Sequence, residues 1–130
     1  MSWDFQIEGK LVRFKTDDGM LLHGFLTQTN SKNIVIHVPG WISNFYDDFR
    51  FPFLVEGITK TGSNFLSTNN RGHDSISYIP RIKGKDLVIG TAFEKFEDCV
   101  KDIKAAVDFA SRNGFKKIIL PRGNGQEAAV

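Results

Sequence analysis

Apolar and polar residues alternate from Leu11 to Thr16, with Val12 and Phe14 on one side, and a second extended run, Met20 to Gln28, follows the string Asp17-Asp18-Gly19. Two extended runs joined across an Asp-Gly turn predict an antiparallel hairpin, which the polar string Thr29 to Asn33 ends. Ile34 to Val38 is apolar and β-branched apart from His37, the pattern of a strand buried on both faces of a parallel sheet. Pro39 and Gly40 stop that strand, and a long aromatic loop, Trp41 to Phe51, follows it. Pro52 to Lys60 predicts a short helix, with proline in its first turn and Gly62 just past its end. Asn64 to Thr68 is the next strand, and Asn69 to Gly84 is expected to be irregular, punctuated by Gly72, Pro80 and Gly84. The longest helix starts at a capping box, Thr91 with Glu94 three residues on. Phe93, Phe96, Val100, Ile103, Val107 and Ala110 mark one face at helical spacing, and Gly114 closes it. Lys116 to Leu120 is the last strand. Hairpin, strand, helix, strand, helix, strand implies right-handed crossovers and a mostly parallel α/β sheet with an amino-terminal antiparallel hairpin.

Composition changes this picture little. The 130 residues suffice for one domain, and a 41% hydrophobic and 25% charged share is that of an ordinary globular chain. With 17 basic and 15 acidic residues spread along the chain, net charge +2, there is no basic stripe for nucleic acid and no polybasic membrane patch. The single cysteine, Cys99, falls in the long helix, so neither a disulfide framework nor a thiolate metal site is expected. A cytoplasmic setting fits that, together with an amino terminus lacking an apolar signal core and the lack of a transmembrane-length window.

Candidate chemistry is sparse. Three histidines, His23, His37 and His73, show no metal-ligand spacing. His37 reads as a core histidine, and His73 with Asp74 as strand-exit structure, since adjacent residues of an extended chain point apart. Asp17 and Asp18 read as turn chemistry. The short Gly-Asn-Gly of the last turn lacks the Lys and Ser/Thr of a phosphate loop. Neither metal nor organic cofactor is therefore expected. The alternating charges from Glu94 to Asp108 read as a solvated helix face with i,i+4 support.

The order of elements and three local strings resemble the amino-terminal half of the α/β-hydrolase fold. HVPGWISNFYDD after the first parallel strand is similar to the family's oxyanion loop, FLSTNNRGHD to its next strand with an Arg-Gly exit at Arg71 and Gly72, and FEDCVKDIKAAVDFASRNGFKKIIL to the helix leading into the nucleophile strand. The resemblance runs from about Val12 to Leu120, and implies a serine-hydrolase-like chain with a small ester or acyl substrate and one partial domain over residues 1–130. It breaks at the nucleophile elbow, GxSxG. The family's spacing puts Asn124 at the serine position, with Arg122 and Gln126 where glycines belong. A shift of one residue puts Gly123 there instead. Neither supplies a nucleophile that a histidine could deprotonate.

The resemblance places two backbone oxyanion donors at Trp41 and Gly125, beside Gly40. For Trp41 two readings stand side by side, oxyanion donor and packing aromatic; for Asn124 they are altered elbow and terminal tail. At the level of function the expectations are a hydrolase-like chain without a working triad, its acid and histidine lying downstream in the family, or a small α/β interaction module. The module would dimerise or bind a partner through an apolar edge strand, Ile118 to Leu120. A third is an incomplete part of a longer enzyme.

Overall fold

The computed structural model describes residues 4–27, 29–38, 51–71, 77–89 and 96–120. The hairpin forms as its pattern predicts: β1 (Lys10–Lys15) and β2 (Leu21–Leu26) pair antiparallel, Phe14 opposite Leu22. Gly19 takes φ +87° in the turn, a conformation that a residue with a Cβ adopts only with strain. Thr16 completes the turn by accepting the Met20 N–H at its Oγ1, 2.9 Å away.

β3 (Asn33–His37) and β4 (Asn64–Thr68) pair parallel, with α1 (Phe51–Lys60) between them in sequence. After α2 (Phe96–Arg112), the last strand, β7 (Lys117–Ile119), returns parallel to β3 on its other side. The sheet order is β1-β2-β4-β3-β7, with β2 antiparallel to β4. This is the mixed, mostly parallel α/β sheet that the hydrophobic pattern predicts. β2 lies so close to β4 that a Cβ on Gly24 would stand 2.7 Å from the Ser67 carbonyl oxygen.

Alternation along the central strands divides the core in two. Ile34, Ile36 and Leu66 face Cys99, Ile103, Ala106 and Ala110 of α2. Val35 and Phe65, pointing the other way, pack with Phe51 and Val55 of α1. All five residues of β4 are buried, as a strand covered on both faces requires.

Two expectations need correction. Asn69–Gly84 is not wholly irregular: β5 (Ser77–Ile79) pairs antiparallel with β6 (Leu87–Ile89) as a second, two-stranded sheet. The buried stripe of α2 is also rotated from the predicted one. Cys99, Asp102, Ile103, Ala106 and Ala110 are buried, whereas Val100 is 49% exposed. Thr91, Phe93 and Glu94 lie outside the described residues. Gly114 ends the helix as predicted, with φ +88°. Among the described residues no helix is long and apolar enough to cross a membrane.

Candidate functional site

Ligands of parallel α/β sheets bind beyond the carboxyl ends of the strands. Here those ends belong to β3, β4 and β7. The pairing Val35 with Ile119 and His37 with Ser67 brings the end of β3 between the other two. The chain segments continuing from β3 and β7, which the hydrolase resemblance makes oxyanion loop and nucleophile turn, therefore leave from neighbouring strands. Gly40, Trp41, Asn124 and Gly125 lie outside the described residues, as do His73 and Asp74.

The exit of β4 is described, and it carries the main charge network. Arg71 is 2% exposed, and among the side chains buried this deeply it is the largest. Its backbone N–H donates to Asp102 Oδ2 at 2.7 Å and its Nε to Asp102 Oδ1 at 2.9 Å. The two terminal nitrogens fork onto Asp18, Nη1 to Oδ2 at 2.7 Å and Nη2 to Oδ1 at 2.9 Å. Asp98 approaches Nη1 at 3.6 Å, and Lys101 stands 3.7 Å from Asp18 and 3.2 Å from Asp98. One guanidinium thus ties the β1–β2 turn, the β4 exit and α2 together, and the planar fork of arginine suits two carboxylates at once.

The titration of these groups follows from the geometry. Hydrogen bonds from Arg71 hold the Asp18 carboxyl well below the usual carboxylate range, against the cost of its partial burial. Burial pushes Asp102 upward, and the Arg71 donors pull it back. Burial also works against the Arg71 charge, but the bonds to Asp18 and Asp102 outweigh it and keep the guanidinium protonated.

Asp18 and Asp102 are therefore corrections to the sequence reading. Asp18 does serve the turn, where it accepts from Thr16 Oγ1, yet it is also an ion-pair partner across the fold. Asp102, 3% exposed, does not belong to a solvated face. Lys101, Lys104 and Asp108 do, with Lys104 reaching Asp108 at 2.8 Å. The available signal was an acidic residue, Asp102, falling next to Ile103 on the apolar stripe, and a basic residue, Arg71, three positions after the end of β4.

Next to Arg71, the side-chain Nδ2 of Asn70 is buried with no hydrogen-bond partner among the described residues. It sits three residues past the His37–Ser67 pairing level, at the carboxyl end of β4, and such an uncommitted donor is what a ligand oxygen would use. His37 is half-buried and stacks on Phe65 with ring centroids 6.1 Å apart, in keeping with the core-histidine reading. Among the described residues no cluster of His, Cys, Asp and Glu is arranged to hold a metal ion. A cleft of about 460 Å³ opens at the opposite, amino-terminal end of the parallel strands. There Asn64 is already committed, accepting from Thr29 N–H and donating to Ser31 and Asn33 carbonyls.

This architecture is a partial α/β-hydrolase fold. Among solved structures, the chain is similar to the Pyrococcus furiosus esterase Pf2001, with TM-score 0.64 and 25% identity over 85% of this chain and 40% of that one. It also resembles DcsB, solved with a substrate analogue (TM-score 0.60, 16% identity, 88% and 35% covered). A third likeness is to a cold-adapted esterase from an Arctic intertidal metagenomic library, with TM-score 0.58, 17% identity and 90% and 53% covered. The chain thus spans about two fifths of the length of the Pyrococcus esterase. No protein-family model matches the sequence, and no curated protein sequence matches it significantly.

Proposed function

We propose that this chain carries the sheet and oxyanion side of a carboxylic ester or related acyl hydrolase, and that it does not hydrolyse esters as it stands. The observation supporting this is the strand arrangement: β3 and β7 are parallel neighbours, so the loop after Val38 and the turn after Leu120 start side by side. In this reading the backbone N–H groups of Trp41 and Gly125, with Gly40 keeping the loop close, receive a developing oxyanion. Asn70 adds a side-chain donor from β4. Position 124 is where the nucleophile acts in an active relative, and Asn124 cannot supply one because its carboxamide has no proton that a histidine could remove to leave a reactive oxyanion. The substrate class is a small ester or acyl compound.

The test is incubation of the chain with an activated aryl ester and with a fluorophosphonate probe. The expected result is neither turnover nor labelling above that of heat-denatured protein. Labelling of the folded chain at any residue would overturn the inactive reading.

A second reading, an interaction module, has its own observation. β7 ends the sheet order, with Ile119 38% and Leu120 39% exposed. An apolar strand edge of this kind pairs with another strand, and a second copy of the chain is the partner this reading names.

A further inference from the structure

We propose that the β5–β6 hairpin is a docking surface for an anionic lipid bilayer. Its inner face is anchored: Ile79, 2% exposed, pairs with Leu87, and both pack in the α2-side core. Its outer face is the reverse. Tyr78 and Val88 are directly opposed across the strands and are 70% and 46% exposed, and Ile82 in the connection is 55% exposed. The same hairpin carries Arg81, Lys83 and Lys85 against the single acid Asp86.

The turn is built to hold these groups in place. Arg81 folds back so that its Nε donates to the Lys85 carbonyl at 2.7 Å. Gly84, at φ +91°, lies under the guanidinium, where a Cβ would stand 2.9 Å from Arg81 Nη2. The connection between the two strands is tied to the β1–β2 turn by Leu21 N–H to the Pro80 carbonyl at 2.9 Å and Ile82 N–H to the Gly19 carbonyl at 3.2 Å. Little conformational freedom is left to lose on docking.

The chemistry favours a bilayer over a protein. Three exposed apolar side chains on a short hairpin offer far less than the ~800 Å² per partner of a stable protein interface. A membrane interface needs only a few inserted groups, and tyrosine suits its boundary between apolar and wet. Cations flanking the inserted groups meet anionic headgroups, each strengthening binding roughly fivefold near a charged surface. Three cations interrupted by Ile82 and Gly84 make no polybasic run in the sequence; all three fall in the short connection between β5 and β6. This inference does not depend on the hydrolase reading.

The test is co-sedimentation of the 130-residue chain with phosphatidylcholine vesicles, with and without phosphatidylserine. Binding to the serine-containing vesicles that weakens with added salt is expected. Lys83→Gln/Lys85→Gln should lower the partition roughly fivefold for each cation removed, and Tyr78→Ser/Val88→Ser should abolish it. Far-UV circular dichroism matching the parent would show that both variants fold, as their outward positions lead us to expect. Equal binding to both vesicle types, no binding to either, or variants that bind like the parent would overturn the proposal.

Discussion

Arg71 shows how much one residue can organise. Its guanidinium is buried with a buried carboxylate, and removing one partner of such a pair leaves a charge stranded in a low-dielectric interior. Asp102→Ala should therefore lower stability by about 3–5 kcal/mol, read as a shifted midpoint in urea unfolding. Asp18 permits a test by pH. In the unfolded chain its carboxyl takes up a proton near its ordinary value of 3.8, whereas in the folded chain Arg71 holds it ionised to lower pH. Unfolding then binds a proton, so this group's stabilisation is complete above about pH 4 and is lost as the pH falls toward the depressed folded value. Burial gives Asp102 the opposite sign: its folded carboxyl protonates before the unfolded one, which opposes acid loss over that window. Asp18→Asn should accordingly flatten the fall of stability between about pH 4 and pH 2, as followed by thermal melts across that range. Asn70 is a contrasting case. Because its Nδ2 has no partner among the described residues, Asn70→Leu should leave the melting temperature unchanged or raised, since a buried unmade hydrogen bond costs about 1–3 kcal/mol; a clear loss of stability would show that the amide has a structural partner.

At the scale of elements, α2 illustrates where a helical pattern misleads. Val100 and Ile103 share the predicted apolar face, but only Ile103 is buried. The bond from Asp102 to Arg71 sets the rotation of the helix, and Ala105, Ala106 and Ala110 let it approach the sheet. Ile103→Ala should cost about 2–5 kcal/mol, while Val100→Ala should stay within about 0.5 kcal/mol, both by chemical denaturation. Equal effects would refute the observed rotation. β1 to β4, α1 and β7 were legible from alternation, β-branched runs, Asp-Gly and Pro/Gly punctuation, because those signals are local. β5 and β6 were not. Each is only three residues long, and Ile79 and Leu87 show their inward orientation only once the core they enter exists.

For the whole molecule, the described strands leave the main sheet two edges, β1 and β7. β7 offers Ile119 and Leu120 to solvent. If that edge recruits a second copy, light scattering should show mass rising with concentration, and Ile119→Lys should restore a monomer. A parent chain that stays monomeric at high concentration would count against the interaction-module reading and leave the hydrolase reading untouched.

The candidate site divides along the same line. The residues themselves determined the α/β class, the order of the helices and of the five strands of the main sheet along the chain, and the hairpin turn at Gly19, since each depends on side-chain type and near neighbours along the chain. Only the tertiary structure decided which strands are adjacent, that β3 lies between β4 and β7, and that Asp18, Arg71 and Asp102, separated by 53 and 31 positions, form one network. Long-range pairing is set by where apolar faces find cover and buried charges find partners, and neither is written in any short stretch of sequence.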